Sequence, residues 1–431
     1  MGEITSEILY GVNESAKETG EYKLLRITDI QNDSVNWDSV PFTNYSKDKV
    51  NHYLLQNNDI VFARTGATVG KSFLIKNLFE PAIYASYLIR IRVLNFVSPQ
   101  YIKEFFGSPC YWNQITNKSS GIGQPNVNGT SLANLFIPLP ALTEQQLIVA
   151  EIEKIFAQID LLEQNKTDLQ TAIKQAKSKI LDLAIHGKLV SQDPTDEPAS
   201  VLLEKIRAEK EAKIANGELK RDKNDSYIYK GSDNCHYQKN ANGSIVNIED
   251  EIPFEVPDGW SWCRLGEITS ELGDGIHGTP EYDPNGDYFF VNGNNLCNGK
   301  IIIKEDTKRV SITEFNKYKK NLNEKTVFVS INGTLGNVAF YNNESIILGK
   351  SACYLNLFKQ KLKLYIFALL NSEYFKKYSY ENATGSTIKN VSLKSMRDFL
   401  IPLPPLTEQT RIVAKIEELF TLVDNIQNNL I

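Results

Sequence analysis

Residues 137–153 read IPLPALTEQQLIVAEIE, and residues 401–417 read IPLPPLTEQTRIVAKIE, an offset of 264 positions (401 − 137 = 264). The hexapeptide GEITSE, at residues 2–7, returns at 266–271 with the same offset. Two matches at one offset, one near each end of a unit, indicate an internal duplication. The chain is therefore predicted to contain two related domains, each ending at the same junction.

The repeated junction predicts the end of a domain followed by the start of a helix. Pro138 and Pro140 hold the backbone extended. Thr143 is predicted to be the N-cap of the helix, with Gln146 completing a capping box three residues later. The second copy has Thr410 in place of Gln146. Its helix start is therefore expected to be the weaker of the two.

A heptad pattern follows each junction. Apolar side chains alternate at spacings of three and four residues, which predicts a long helix over 143–186 and a shorter one after residue 404. Because an apolar stripe of this length needs a partner, the two helices are predicted to pack antiparallel, in a pseudo-two-fold arrangement. The predicted seam residues are Ile152, Ile155, Ile159, Leu162, Leu169, Ile173, Ile416, Leu419, Val423 and Ile426.

The composition is that of an ordinary globular protein, with 431 residues, 42% of them hydrophobic and 23% charged. The N-terminus lacks the pattern of a secretory signal, and no apolar run is long enough for a transmembrane helix. The five cysteines are scattered, which fits free thiols and a cytoplasmic location. The net charge of −5 argues mildly against a nucleic-acid partner, although residues 260–403 contain 18 basic and 14 acidic side chains.

These patterns predict the fold class α+β, with two similar mixed α/β domains joined by long helices that form an antiparallel coiled coil. Between the first long helix and the second domain, residues 220–244 are polar and expected to be poorly ordered. The predicted ranges are 1–140 for the first domain, 141–186 for the central helix, 187–259 for a charged helix and polar linker, 260–403 for the second domain and 404–431 for the short C-terminal helix.

The sequence offers no recognisable catalytic or metal site. RTGATVGKS, at 64–72, looks like a phosphate-binding loop but lacks the GxxxxGK[ST] spacing, so a turn between strands is the preferred interpretation. The histidines and cysteines have no metal-ligand spacing, and no nucleophile motif is present. The residues by themselves favour a binding scaffold with two different heads on one frame.

That frame resembles the specificity subunit of type I restriction–modification systems. The resemblance is carried by the two IPLP-x-LTEQ junctions, by AIHGKLVSQDPTDEPASVLLEKIRAEKE at 184–211 and by EIPFEVPDGWSWCRLGEI at 251–268. One departure is that DGWSWCRL precedes GEITSE only in the second copy. Another is that the second helix stops about twenty residues short of the first when the two are aligned by the offset.

The resemblance implies that 1–140 and 260–403 are target-recognition domains, each reading one half of an asymmetric, bipartite site on double-stranded DNA. It implies that the helices separate them and dock two modification subunits, with restriction (motor and nuclease) subunits added. The chain itself would be non-catalytic and hold no cofactor. S-adenosylmethionine, ATP and magnesium are expected in the partner subunits, and the assembled complex would methylate adenine at N6 and cleave DNA with ATP.

Base edges are read by polar side chains on loops, so the polar loop residues of both heads are the candidates for DNA contact. For each of them a solvated or turn role is an equally open alternative. The candidates are Arg64, Thr65, Lys71, Lys118, Gln124 and Asn126 in the first head, and His277, Thr279, Asn292, Asn294, Asn332, Lys389 and Asn390 in the second.

Two other functions remain open on the residues alone. A two-headed coiled-coil scaffold or adaptor that does not bind DNA is supported by the acidic net charge. An enzyme with an unrecognised site in one head would require turnover by the isolated chain, and no residue constellation supports it.

Overall fold

A computed structural model describes residues 1–31, 33–65, 69–118 and 127–429, apart from the side chains of residues 117 and 118. These residues form two units, Met1–Asn165 and Lys166–Ile431. The boundary between the units falls inside one continuous helix.

The first unit contains a series of short strands, then three short helices and the start of the long helix. Its strands are β1 Thr5–Tyr10, β2 Tyr22–Leu25, β3 Ile30–Gln31, β4 Ser34–Val35, β5 Phe42–Thr43, β6 Ile60–Ala63, β7 Ser72–Leu74, β8 Ala82–Tyr84 and β9 Leu88–Val93. Its helices are α1 Lys47–Val50, α2 Pro99–Phe105, α3 Pro109–Lys118, α4 Gly129–Ala133 and the beginning of α5, Leu142–Ile185.

The second unit contains the rest of α5, the linker and the second head. The linker forms α6 Ala199–Ala215, β10 Ser226–Lys230, β11 His236–Asn240 and β12 Ile245–Asn247. The head begins with β13 Ser261–Arg264, β14 Thr269–Asp274, β15 Tyr288–Val291, β16 Leu296–Cys297, β17 Lys300–Ile301, β18 Arg309–Val310, α7 Ile312–Tyr318, β19 Thr326–Ser330, β20 Val338–Phe340, β21 Ile346–Leu348 and β22 Ala352–Leu357. It ends with α8 Lys363–Leu370, α9 Glu373–Glu381, β23 Ala383–Thr384, β24 Asn390–Val391, α10 Leu393–Asp398, β25 Leu400–Leu403 and α11 Leu406–Asn428.

The two heads repeat one sheet topology. The four-stranded sheet has the order β1-β9-β6-β7 in the first head and β14-β22-β19-β20 in the second. A second sheet has the order β5-β2-β8 in one and β18-β15-β21 in the other, and in both its last two strands are parallel. The predicted fold class, two similar mixed α/β domains with long helices, is confirmed.

The duplication also fixes the strand register. Thr5 pairs with Val93, and Thr269 pairs with Leu357, which are the same two positions shifted by 264 (269 − 5 and 357 − 93). Each ladder has an irregularity after this first pair. The heads therefore share their backbone well beyond the short stretches in which their sequences visibly agree.

Each four-stranded sheet is covered on both faces, which explains its continuous apolar runs. Neighbouring residues of a strand point to opposite faces. In β6, Phe62 packs with α2 and α3, whereas Val61 packs with β2 and β8. In β19, Val327 faces α8, whereas Phe328 packs with β15 and β21.

The junction is held by a residue other than the predicted cap. Helix α5 begins at Leu142, so Thr143 lies inside its first turn. The buried Gln145 donates through Nε2 to the carbonyl oxygen of Pro140 at 2.9 Å. Its equivalent Gln409 donates to Pro404 at 2.8 Å. The capping-box prediction is therefore wrong, because a buried glutamine turns back onto the proline segment instead.

The second junction is the better packed of the two, contrary to the expectation from its local sequence. Glu408 is only 1% exposed and accepts from Trp260 Nε1 at 3.0 Å. Arg411 forms an ion pair with Asp196 at 2.7 Å. These tertiary contacts take the place of a side-chain cap.

Within the second unit, the end of α5 packs antiparallel to α11. Lys177 forms an ion pair with Asp424, and its ammonium lies 5.4 Å from the centre of the Phe420 ring. Gln192, which follows α5, donates to the carboxylate of Glu408, near the start of α11, at 3.2 Å. The two segments therefore run in opposite directions, as predicted.

The predicted seam residues differ in their exposure. Ile173 and Ile416 are buried, Ile152, Leu169, Leu419 and Val423 are half-buried, and Ile155, Ile159, Leu162 and Ile426 are exposed.

The linker is ordered, which corrects the expectation for residues 220–244. Strands β10, β11 and β12 form an antiparallel sheet. Ile228 and Ile248 are buried in a cluster with Trp262 and Leu400. A segment this polar can still fold, because the neighbouring head supplies most of the apolar residues of the shared core.

Candidate nucleic-acid interface

The loops at one end of the second head converge through main-chain hydrogen bonds. The Ile276 amide donates to Leu348 at 2.8 Å, and Gly349 donates to Val291 at 2.8 Å. Ile331 donates to the carbonyl oxygen of Ser351 at 3.0 Å. We call the loop residues 276–279, 292–294, 332–334, 349–351 and 388–390 the second loop cluster.

All seven predicted residues of this head lie in the second loop cluster. Asn332 donates through Nδ2 to Oδ1 of Asn390 at 3.0 Å, and the amide of Gly333 donates to the carbonyl oxygen of Lys389 at 2.9 Å. Asn292 accepts from the hydroxyl of Ser351 at 3.1 Å.

Their exposure divides these residues into two groups. His277, Thr279, Asn294 and Lys389 are exposed, whereas Asn292, Asn332 and Asn390 are half-buried. His277 lies 2.9 Å from the carboxylate of Asp274. The exposed side chains are accessible to a large partner, and the half-buried amides hold neighbouring loops together.

Two residues of the second loop cluster were not predicted from the sequence. Lys350 is exposed, and its amide donates to the carbonyl oxygen of Ile276 at 3.0 Å, so it lies beside the His277 loop. Ile388 is 61% exposed next to Lys389. The signal for Lys350 was available, because it lies two residues after the end of a buried strand, Ile346–Leu348.

The first head places its equivalent loops in the same way. The Arg64 amide donates to Tyr87 at 3.1 Å, and Val127 donates to Arg64 at 2.9 Å. The second head has the equivalent hydrogen bonds, in which the amide of Ile331 donates to Ser351 and the amide of Val391 donates to Ile331. We call residues 12, 26, 64–65, 71 and 85–87 the first loop cluster.

Only part of the prediction for the first head falls on described residues. Arg64 and Thr65 are half-buried, and the guanidinium of Arg64 lies 4.6 Å from the centre of the Tyr10 ring. Lys71 is exposed, and its carbonyl oxygen accepts from Ala63 across the β6–β7 pair. Gln124, Asn126 and the side chain of Lys118 lie outside the described residues.

Tyr87 and Arg26 of the first loop cluster were not predicted. Tyr87 is 61% exposed. Arg26 occupies the turn after β2 and pairs with Asp29 at 2.7 Å, where the second head has Asn292 bonded to Asn295. The same turn therefore presents a guanidinium in one head and an amide in the other.

A glycine permits the close approach of loops in each cluster. A Cβ at Gly11 would collide with the carbonyl oxygens of Tyr84 and Ala85, and a Cβ at Gly275 with those of Leu348 and Gly349. The two glycines are 264 positions apart (275 − 11). The framework under the loops is thus shared, and the side chains on it are not.

The described part of the chain contains no cluster of histidine, cysteine or acidic side chains able to hold a metal ion. Its helices also include none that is long and apolar enough to cross a membrane. The chemistry of both loop clusters is that of a polar binding surface, with amides, hydroxyls and cations that can donate to base edges and phosphates.

Comparison with known proteins agrees with this description. A sequence profile of the "Type I restriction modification DNA specificity domain" matches residues 11–171 and 257–431. The specificity subunit of the type I restriction enzyme EcoEI from Escherichia coli is 26% identical over 383 residues, covering 77% of this chain and 61% of the relative. That of EcoAI, also from Escherichia coli, is 28% identical over 411 residues, covering 83% and 63%. The chain therefore spans somewhat less than two thirds of the length of these relatives.

Solved structures share the fold over the whole chain. The HsdS subunit from Thermoanaerobacter tengcongensis has a TM-score of 0.51 at 16% identity, covering 99% of this chain and 90% of that one. A chain from a structure of type I R-M system complex assembly and conformational transition has a TM-score of 0.54 at 18% identity, covering 100% and 91%. Since the profile matches well over half of its residues, the chain belongs to the family of type I restriction modification DNA specificity domains.

Proposed function

We propose that this chain is the DNA sequence-specificity subunit of a type I restriction–modification complex. Each head would read one half of a bipartite, asymmetric site on double-stranded DNA through its loop cluster. The chain would do no chemistry itself. Modification and restriction subunits would bring S-adenosylmethionine, ATP and magnesium, and its helices would dock the modification subunits.

The observation that carries the proposal is the combination of one framework with two sets of loop side chains. Equivalent turns present Arg26 and Asn292, and equivalent strand ends carry the half-buried Arg64 and the buried Ile331. A guanidinium favours guanine edges and an asparagine amide favours adenine edges. Two heads that differ in this way suit a target whose halves differ.

The helix α5 would act as a spacer. It has 44 residues, which at 1.5 Å per residue gives a length of roughly 66 Å. One turn of DNA is roughly 34 Å long, so a rigid helix of this size can fix both the separation and the phase of two half-sites.

The proposal is tested by expressing the chain with type I modification subunits and mapping methylated adenines by long-read sequencing. We expect one bipartite motif. Asn294→Ala, in the second loop cluster, should relax the sequence of one half-site only. Asn285→Ala is the matched control, because Asn285 is exposed at the opposite end of β15. Methylation without a bipartite motif would contradict the proposal.

The alternative of an adaptor that does not bind DNA is favoured by the net charge of −5. The two functions are separated by the salt dependence of DNA affinity in the assembled complex. A DNA-binding subunit must lose affinity steeply as the salt concentration rises, because each phosphate contact releases counterions. An adaptor would show weak or salt-independent binding.

A further inference from the structure

The most exposed large apolar side chain of the second unit lies in the second loop cluster. Ile388 is 61% exposed, more than any other large hydrophobic residue that the structure describes in Lys166–Ile431. It is the one large apolar residue in the exposed stretch 384–389, which reads TGSTIK. A single exposed isoleucine is ordinary on a protein surface, so its surroundings decide whether it has a partner.

The hairpin that carries Ile388 presents this side chain at its tip. Strands β23 and β24 pair antiparallel with Thr384 opposite Asn390, so residues 385–389 form the loop between them. Gly385 has a φ of +94°, and a Cβ there would lie 2.3 Å from the carbonyl oxygen of Ile388. The glycine therefore lets the main chain of the loop close on itself while the isoleucine side chain stays exposed.

The hairpin is fixed to the other loops of the cluster directly beside Ile388. The amide of Gly333 donates to the carbonyl oxygen of Lys389 at 2.9 Å. The side chain of Asn332 donates to that of Asn390 at 3.0 Å. Both hydrogen bonds reach residues within two positions of Ile388, so the fold sets where this side chain stands among the polar groups of the cluster.

The charge around Ile388 suits a polyanion. The residue ranges of the second loop cluster include two lysines and one histidine but no aspartate or glutamate. Lys350 and Lys389 are both exposed. Asp274, which contacts His277 from outside the cluster, is half-buried. Charge complementarity therefore favours a partner that carries phosphates, which is the partner of the proposed function.

DNA offers one apolar group among the base edges of its major groove. Thymine presents a 5-methyl group there, next to its O4 acceptor, and the remaining edges present donors and acceptors. An asparagine amide pairs with N6 and N7 of adenine in the same groove. Asn390, two residues from Ile388, keeps its own N–H donors after accepting from Asn332. An A·T pair thus matches an amide and an apolar side chain carried on one hairpin.

We propose that Ile388 is a specificity-determining residue of the second head, which contacts the 5-methyl group of a thymine in the major groove. This inference rests on the proposed function, because it takes the second loop cluster to face DNA. It deepens that function by naming the type of base pair, A·T, and the chemical group through which Ile388 selects it.

The test uses the assembled complex with modification subunits and a synthetic duplex that contains its bipartite target. In the half-site that Asn294→Ala relaxes, each thymine is replaced in turn by deoxyuridine, which lacks only the 5-methyl group. One replacement should weaken binding about fourfold, as expected for loss of one buried methyl group. Ile388→Ala should weaken binding to the unaltered duplex at least as much, and its binding should then be insensitive to that replacement.

Ile312→Ala is the matched control, because Ile312 is 52% exposed in the same head but outside the second loop cluster. It should keep the affinity of the parent and its sensitivity to deoxyuridine. Deoxyuridine in the other half-site should affect the parent and Ile388→Ala equally. An unchanged midpoint of urea unfolding for Ile388→Ala shows that its loss of affinity is not a folding defect.

The role of Ile388 is overturned if no deoxyuridine replacement weakens binding less in Ile388→Ala than in the parent. It is also overturned if Ile388→Ala weakens binding but no replacement does, since the side chain would then act as a wedge between base steps and not on a methyl group. A half-site without an A·T pair overturns it as well. In these cases the bipartite motif persists, whereas a complex that methylates no bipartite motif contradicts the proposed function itself.

Discussion

Asn332 and Asn390 are 58 residues apart in the sequence, yet the amide of one donates to the amide of the other at 3.0 Å. The bond joins the loop after β19 to the start of β24, within the second loop cluster. An amide pair bonded in this way retains acceptor capacity on both carbonyl oxygens and further N–H donors for a ligand. The pair is therefore able to position the loops and to contact a base.

This relationship predicts that the two asparagines act together on stability. Asn332→Ala and Asn390→Ala should each lower the free energy of unfolding by about 0.5–1.5 kcal/mol, and the double variant should cost less than their sum. Urea unfolding of the four proteins measures the coupling. Strict additivity would show that the hydrogen bond contributes nothing.

Lys389 is expected to contact phosphate and not a base, because it is exposed and its ammonium is a flexible point charge. In the assembled complex, Lys389→Ala should weaken binding to cognate and unrelated DNA alike and lower the salt slope by about one. Lys361→Ala is the control, since Lys361 is exposed beyond the far end of β22. A loss of affinity confined to the cognate sequence would assign Lys389 to a base.

Gly275 is predicted to be required for the second loop cluster. Gly275→Ala should lower the free energy of unfolding by about 1–3 kcal/mol, because the added Cβ meets the carbonyl oxygens of Leu348 and Gly349. Gly278→Ala should change it by less than about 0.5 kcal/mol, since a Cβ there meets open space in the same loop. Thermal or urea unfolding compares the two, and equal effects would contradict the steric explanation.

Glu267 makes the stability of the second unit depend on pH. Burial raises the pKa of this carboxyl to about 7, and Arg207, 3.5 Å away, only partly offsets the cost of ionising it. In the unfolded chain the group titrates near its ordinary value of about 4.3. Between these two values the folded protein holds a proton that the unfolded chain has lost, so stability should fall as pH rises from about 4.3 to 7.

Glu267→Gln should remove this part of the pH dependence and leave the protein more stable than the parent above pH 7 by up to about 3 kcal/mol. Urea unfolding at pH 5 and pH 8 tests both statements. The equivalent residue of the first head, Glu3, is exposed, so Glu3→Gln is the matched control and should leave the profile unchanged. A parent protein whose stability rises over this range would contradict the assignment.

Substitutions in the two long helices should show which seam residues contribute to the free energy of unfolding. Ile416→Ala should cost about 2–4 kcal/mol, because Ile416 is buried in the core of the second unit. Ile155→Ala should cost little, because Ile155 is 47% exposed. Denaturant unfolding of both variants separates the buried part of the seam from the exposed part, and a large loss for Ile155→Ala would show that this residue has a partner.

The function of individual side chains was harder to predict than the fold. Period-two and heptad patterns are local, so strands, junctions and long helices could be read directly. The hydrogen bond between Asn332 and Asn390 depends on which loops lie next to each other, and so does the exposure of Lys350. Strand order, and not the local sequence pattern, determines which loops are neighbours. The capping prediction failed for a similar reason, since Gln145 is fixed by the proline segment and by Ser98 of the head.

The sequence by itself determined the duplication, the two mixed heads, the helices after each junction and the family resemblance, because these rest on repeated or periodic residues. Only the tertiary structure decided what each copy of the repeat does. Glu144 and Glu408 occupy the same motif position, yet one is exposed and the other is buried against Trp260. The physical reason is that burial depends on which segment packs on the motif, and within the described residues strand β13 pairs with the segment that precedes Glu408.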